Sequence, residues 1–360
     1  MSTLSVLALT KYGRLAASTR HRFLNYIPLL ADQGISITPV PLLTDGYVAR
    51  RFSGQKIDLM DVARGFLGRL MALANSQRFD VLWIEGELFP RLPALGERLL
   101  NKLGRPYVVD LDDAIFHTYD QHPWPLYRWL FANKIDVVLR GASAVIAGND
   151  YLAERAVRAG ARSVATIPTT VDESRYIRSS TCRSKRLTFV WIGSPATQHY
   201  LRTIQNELEH VCLSLQASVR LIGVEQHEFS WPHIEVRPWE ENLESAELSC
   251  CDIGLAPLYD GPWERGKCGF KAIQYMAAGL PVLAASIGVL PSIVTHGETG
   301  FLYQDSLQFK LFAERLGIDS ELRKRFGVAG QLRASNDYSV HKWVDTVGNV
   351  LRAAAKSRVG

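Results

Sequence analysis

The densest concentration of reactive residue types lies in residues 257–286, PLYDGPWERGKCGFKAIQYMAAGLPVLAAS. Gly261, Gly266 and Gly269 punctuate a loop that leads into a helix expected to begin near Cys268. Lys267 and Lys271 are four residues apart, the spacing that puts two side chains on one helical face. The first turn of a helix disfavours cations, because its dipole is positive there. Two lysines in that place therefore suit an anionic ligand. A second loop and helix start, residues 286–294, offers helix-terminal N–H groups around Gly288, Val289 and Leu290. Two such termini and two lysines fit a diphosphate.

A second cluster closes an apolar run in the first half: Asp110, Asp112 and Asp113 within YVVDLDDAIFH. Three carboxylates within four residues repel one another unless a cation, a donor or a hydroxyl compensates. Three readings stay open. The pair could chelate a hard cation, recognise sugar hydroxyls, or cap a helix beside a loop ion pair. No second acidic cluster supplies further ligands, and no metal is assigned. A third segment, residues 11–22, is a loop of small and basic residues that opens a helix, with Ser18 or Thr19 as N-cap. Its N–H groups suit an anion; Arg20 and Arg22 serve either that anion or plain solvent. No G-x-G-x-x-G dinucleotide fingerprint is present.

These residues need a scaffold, and the chain supplies a repeating one. Apolar, β-branched runs at 5–10, 36–43, 81–86, 107–111, 144–149 and 163–168 alternate with helical periods at 19–33, 59–77, 90–103, 125–140 and 151–159. This is the pattern of a parallel, doubly wound α/β domain. A polar Ser/Arg-rich stretch, residues 172–186, marks a boundary. The alternation then restarts, with strands expected at 187–193, 218–223, 234–237, 252–257, 281–285 and 300–303. The fold expectation is α/β: two Rossmann-like domains, 1–175 and 176–337, facing a central cleft. Ligands of open α/β sheets bind outside the carboxyl ends of the strands, where all three reactive segments fall.

Composition narrows the class. The 360 residues are 47% hydrophobic, 21% charged and 10% aromatic, as in ordinary globular proteins. The net charge of +5 lies wholly in the first half, with 22 Lys/Arg against 17 Asp/Glu in residues 1–178 and 19 against 19 beyond. An anionic substrate or lipid surface is the implied partner there. The positive charge forms no long stripe and no recognition motif appears, so nucleic acid is not expected. The start lacks the basic region of a signal peptide. The uncharged stretch 272–295 is long enough to span a bilayer, but Pro281, Pro291, Gly279 and Gly288 break it. Five cysteines without a C-x-x-C pair predict neither disulfides nor zinc, and a reducing cytoplasm. Trp124, Tyr127, Trp129 and Phe131, near Arg128 and Lys134, read either as core or as a surface for a lipid-linked acceptor.

The block FKAIQYMAAGLPV from Phe270, the segment 288–294, GETGFL from Gly297, and in the first half residues 20–34, 110–116, 147–149 and 167–172 together resemble the retaining glycosyltransferase family 4 (glycosyltransferase group 1) of the GT-B fold. The resemblance implies the GT-B arrangement of the two domains, with a C-terminal helix in 338–360 crossing back onto the first, and transfer of a sugar from a nucleotide-diphosphate sugar, bound by the second domain, to an acceptor bound by the first. It implies no cofactor and no obligatory metal. It assigns Lys267 and Lys271, with Gly193, Ser194, Val289 and Leu290, to the departing diphosphate, residues 237–239 including Trp239 to the donor base, and the 13–19 loop to the donor phosphate. Asp112 or Asp113 would contact the transferred sugar. The family's E-x7-E pair would fall at 266 and 274, where this chain has Gly266 and Gln274. Gln274 can still bond ribose hydroxyls, and Glu264 stands near enough to substitute for the first glutamate. By family habit the acceptor is a lipid-linked or growing surface-polysaccharide glycan, with the protein in the cytoplasm or on the inner face of an anionic membrane. The competing class is a catalytically silent GT-B partner subunit that has lost its glutamates; a metal-dependent hydrolase built on the aspartate cluster is a third.

Overall fold

The computed structural model describes residues 3–176 and 186–357. The middle of the Ser/Arg-rich boundary stretch, with Cys182, lies outside the described residues. The chain divides into two compact units: unit 1 holds Met1–Thr170, Arg265–Cys268 and Val340–Gly360, and unit 2 holds Val171–Glu264 and Gly269–Ser339.

Unit 1 is built on β1 (Leu4–Tyr12), β2 (Ile35–Leu43), β3 (Val81–Glu85), β4 (Tyr107–Leu111), β5 (Ala144–Ala147) and β6 (Val164–Thr166). All pair in parallel in the order β2-β1-β3-β4-β5-β6. Helices α1 (Ala17–Arg22) and α2 (Ile27–Asp32) follow β1, α3 (Asp45–Phe52) and α4 (Leu59–Ala74) follow β2, and α5 (Leu95–Lys102) follows β3. Then come α6 (His117–Asp120), α7 (Pro125–Phe131), α8 (Lys134–Gly141) and, after β5, α9 (Asp150–Ala159). Strand side chains alternate between two cores, as a period of two requires. Leu7, Leu9, Leu82, Ile84, Val109 and Val145 face the layer of α4 to α9. Val6, Ala8, Trp83, Val108 and Ile146 face α2 and the C-terminal helix.

Unit 2 repeats the plan with β7 (Thr188–Ile192), β8 (Ser218–Ile222), β9 (Ile234–Arg237), β10 (Ile253–Ala256), β11 (Val282–Ala285) and β12 (Gly300–Tyr303), ordered β12-β11-β10-β7-β8-β9. Its helices are α10 (Gln205–Leu215), α11 (Glu244–Ser249), α12 (Pro262–Arg265), α13 (Phe270–Ala277), α14 (Leu290–Ile293), α15 (Ser306–Ile318) and α16 (Ser320–Tyr338). The last helix, α17 (Val340–Lys356), buries Val340, Val344, Val347, Leu351 and Ala354 on the sheet of unit 1. Arg352 ties it there by donating to the Gln33 carbonyl, 2.8 Å away. Strand order reverses beside β1 in unit 1 and beside β7 in unit 2, the points at whose carboxyl ends open α/β sheets bind ligands.

Several expected elements are interrupted. The helix expected over 19–33 is split between α1 and α2 by a short 3-10 turn at Leu24–Tyr26, and Pro28 restarts it. The helix expected from residue 90 starts at Leu95, after Pro93. The one expected over 125–140 breaks into α7 and α8 at Ala132 and Asn133. Ser18 and Thr19 lie inside α1 rather than capping it; the N-cap is Ala16, without a side-chain bond. Cys212, Cys251 and Cys268 are free thiols, but Cys250 is disulfide-bonded. That corrects the expectation of no disulfide, and the thiol argument for a reducing compartment falls with it. A pairing set by the fold leaves no C-x-x-C signature. Among the described residues no helix is long and apolar enough to cross a membrane.

Candidate active site

In unit 1 the carboxyl ends of β1, β3 and β4 carry Lys11, Glu85 and Asp110, followed by Asp112 and Asp113. Glu85 is buried and organises the loop after β1: its Oε2 accepts from the Lys11 backbone N–H at 2.8 Å and lies 3.2 Å from the Thr19 hydroxyl, and it also takes the Ser18 hydroxyl. Asp45 holds the other side of that loop, accepting from the Leu15 N–H at 2.8 Å. Its carboxylate sits so close to Gly13 that a Cβ there would meet it at 2.4 Å. The loop is thus fixed by two carboxylates that the sequence reading had not singled out. An apolar run ending in a charge, VLWIE, is the signal that could have flagged Glu85.

Arg20 and Arg22 are neither solvated nor open to an anion. Arg22 is buried and pairs with Asp110 at 2.7 Å while donating to the Ile167 carbonyl at 2.7 Å. Burial opposes its charge, but Asp110 holds the guanidinium above its ordinary range. Arg20 is also buried and donates to the Arg14 and Leu15 carbonyls. Both act as internal struts, which corrects the two readings offered for them.

Of the three aspartates, then, one is structural. Asp112 is half-buried, and desolvation, with Asp113 and Glu85 beside it, pushes its carboxyl up to about 8. Burial likewise raises Glu85. Lys11 stands among them; burial opposes its charge, but Tyr12, Glu87, Glu85 and Asp112 hold it above its usual value. Asp113 pairs with Lys267 at 3.4 Å. The result is a cluster of carboxyls, with that of Asp112 raised, beside ammonium groups, able both to donate to and accept from hydroxyls. Among the described residues no group of three or more His, Cys, Asp or Glu side chains converges to hold a metal ion.

Residues 265–268 lie on the same edge. Asn149, at the carboxyl end of β5, donates to the Gly266 and Lys267 carbonyls at 3.0 Å while its Oδ1 caps α9 at Leu152. Cys268 donates to the Asp112 carbonyl at 3.0 Å. Gly148 leaves room for that sulfur, which a Cβ would approach to 2.1 Å. Lys267 therefore precedes the helix. Gly269, at φ +63°, is the N-cap of α13, so the two lysines do not share a helical face as expected.

In unit 2 the crevice gathers at Gly193. A Cβ there would stand 2.7 Å from the Trp191 ring and 2.9 Å from Lys271 Cε. The Lys271 ammonium lies 5.3 Å above the Trp191 ring, within cation–π range. Ser194 opens the 3-10 segment Pro195–Ile204. Gly223, at φ +90°, brings its Cα against the Gly193 carbonyl and Trp239. Trp239 donates to Glu244 Oε2 at 2.7 Å; Tyr176 donates to the other oxygen, and Gln274 donates to the Tyr176 hydroxyl at 3.3 Å. Gln274, Tyr176, Glu244 and the half-buried Trp239 form one chain of bonds, of which the sequence reading named only the two ends. Glu244 opens a short helix and carries no sequence signal. Glu264 is buried and accepts from the Tyr200 hydroxyl at 2.7 Å. Gly288, at φ +58°, leads into α14, a four-residue helix whose N-cap is Val289. The Leu290 N–H is taken by the Ile287 carbonyl at 3.2 Å, so it is not a free anion donor as expected.

Residues 170–316 match the family described as Glycosyl transferases group 1. This chain carries a glycosyltransferase group 1 region. The region spans most of unit 2 with all six of its strands, and the two six-stranded parallel sheets make the fold GT-B. The D-inositol 3-phosphate glycosyltransferase of Corynebacterium diphtheriae is 32% identical over 105 residues, 29% of this chain and 23% of that protein. The curated relatives it matches are thus covered over less than a quarter of their length. Among solved structures, Anabaena HepE in complex with UDP and glucose has a TM-score of 0.68 at 15% identity, covering 97% of this chain and all of the other. Sucrose-phosphate synthase of Thermosynechococcus elongatus has a TM-score of 0.70 at 12% identity, over 97% and 98%.

Proposed function

We propose that this protein is a retaining glycosyltransferase of the family 4 type, moving a hexose from a nucleotide-diphosphate sugar to a hydroxyl of a lipid-linked or growing surface-polysaccharide glycan. The observation that carries the reading is the crevice of the group 1 region: Gly193 and Gly223 open the carboxyl ends of β7 and β8, with Lys271 beside one and Trp239 beside the other. In this reading unit 2 binds the donor and unit 1 the acceptor. Lys271 and Lys267 neutralise the diphosphate, assisted by Ser194, Val289 and the 13–19 loop with Ser18 and Thr19. Trp239 meets the base, Gln274 the ribose, and Glu264, Asp112 and Asp113 the transferred sugar.

The chemistry is a front-face displacement. The bond between the anomeric carbon and the phosphate oxygen breaks as the acceptor oxygen bonds to the same face of that carbon, and the hydroxyl proton passes to the leaving phosphate oxygen. The protein's part is to orient the partners and to stabilise charge on the departing diphosphate. Neither a metal nor a strong general base enters this scheme. A protonated Asp112 donates to a sugar hydroxyl that an ionised one can only accept from.

A thermal-shift screen with UDP, GDP, ADP and their sugars, with and without EDTA, tests it. One nucleotide should raise the melting temperature, irrespective of EDTA, and Lys271→Ala should abolish the shift. Stabilisation by no nucleotide would favour the silent-subunit reading, and a shift that requires a divalent cation would overturn metal independence.

A further inference from the structure

The helical layer of unit 1 is apolar on the wrong side. Helix α4 turns Phe66 and Leu73 toward the core and brings Gly65 against the Leu42 carbonyl of β2. Yet its opposite face is also apolar: Met60, Leu67, Leu70 and Met71 are all exposed, with Arg64 the one charge among them. A helix that is hydrophobic all round belongs in a core or against lipid. Helix α5 repeats the arrangement, with Ala94 and Leu100 inward and Leu95, Leu99 and Leu103 outward. Helix α7 is the sharpest case. Tyr127 and Phe131 pack inward, while Trp124 and Trp129 are 72% and 80% exposed and Leu126 and Leu130 stand beside them. The aromatic cluster of the sequence reading is therefore both core and surface. Lys134 takes no part in the surface: it is buried against Glu87.

Three helices packed on one core of unit 1 thus present apolar stripes to solvent, more than scattered surface leucines account for. The exposed charge around them is mainly positive. Lys56, Arg64, Arg78, Arg91, Arg98 and Lys102 are exposed, and the two carboxylates at the start of α4, Asp58 and Asp61, are partly exposed and paired with Arg50 and Arg64. Exposed tryptophans and leucines with an excess of exposed cations, their few carboxylates taken up in ion pairs, are the composition of a surface that lies in the headgroup region of an anionic bilayer.

We propose that the outer faces of α4, α5 and α7 form an in-plane docking surface for an anionic lipid bilayer, with Trp124 and Trp129 inserted at the headgroup boundary. This deepens the lipid-linked acceptor reading and rests on it for its purpose, but not for its test. Binding joins two terms, apolar insertion and attraction of the cationic rim, so it depends on lipid charge, on salt and on the two tryptophans.

The test is co-sedimentation of the full chain with phosphatidylcholine vesicles and with vesicles containing about 30 mol% phosphatidylglycerol, for wild type, Trp124→Ser/Trp129→Ser and Leu67→Gln/Met71→Gln. The expected result is partitioning onto the anionic vesicles, weakened about tenfold or more in each double variant, with unchanged melting temperatures. Absence of binding to the anionic vesicles overturns the proposal, as does binding that neither double variant weakens. Light scattering that shows a dimer which Leu67→Gln/Met71→Gln dissociates would assign the face to a second copy instead. Nucleotide-induced stabilisation, measured on the same three proteins, reports on the transferase reading alone, so either claim can fail without the other.

Discussion

A Cβ placed on Gly266 would stand 2.4 Å from the Cβ of Ala114 and 2.9 Å from its backbone nitrogen. The position where the family resemblance calls for a glutamate is thus closed to any side chain by the loop that follows β4. Its backbone is pinned there by Asn149. Restoring the pattern with Gly266→Glu should lower stability by about 1–3 kcal/mol, as overpacking does, and should not raise activity. A chemical-denaturation curve decides; an equally stable, more active variant would contradict this account of the glycine.

The Arg22–Asp110 pair is buried on both sides. Removing one partner leaves a charge without compensation, so Asp110→Asn should cost about 3–5 kcal/mol. Replacing both residues with apolar ones should cost less than either single change. A double-mutant cycle on urea unfolding measures the difference, and additive losses would count against the pairing.

Asp112 gives stability a pH dependence. The folded protein keeps, up to about pH 8, a proton that the unfolded chain releases near 3.8. The contribution of Asp112 to stability is therefore fully present below about pH 4 and is lost as pH rises from about 4 to 8, by at most about 1.4 kcal/mol per pH unit. Asp112→Asn cannot titrate, so its melting temperature relative to wild type should climb between pH 5 and pH 8 and level off above. A constant difference would show that Asp112 titrates normally.

Glu244 fixes Trp239 through one oxygen and Tyr176 through the other. Glu244→Ala removes both acceptors and should weaken nucleotide affinity about tenfold, roughly the effect of freeing one aromatic contact, while Tyr176→Phe should weaken it less. Calorimetric titration with the nucleotide that stabilises the protein reads this directly. Unchanged affinity in Glu244→Ala would separate Trp239 from the base site.

The central strands of the two sheets were legible because they are short apolar runs buried on both faces; the edge strands β2, β6 and β9 are only partly buried and were legible from their place in the alternation. The helix breaks were less so, since Pro28 and Pro93 mark where a helix can restart but not the turn before it. Arg22 looked like a surface charge because its partner is 88 residues away. Lys267 looked helical because four-residue spacing is indifferent to a left-handed glycine between the two lysines. Glu85 was hidden inside an apolar strand, and Glu244 and Tyr176 have roles set entirely by tertiary contact. At the aspartate cluster, composition alone gave three readings; the structure buries Asp110 against Arg22 and leaves Asp112 and Asp113 half-buried, the latter paired with Lys267.

Release of nucleoside diphosphate from nucleotide sugars tests the central claim most directly, comparing wild type with Lys271→Ala and with Lys267→Ala/Lys271→Ala. Wild type should release one nucleotide class, at a slow rate alone and faster with acceptor-bearing membranes, and loss of both lysines should cut that rate by about 100-fold or more with the fold intact. Undiminished release from the folded double variant, or no release by wild type with any donor and acceptor, would contradict the account.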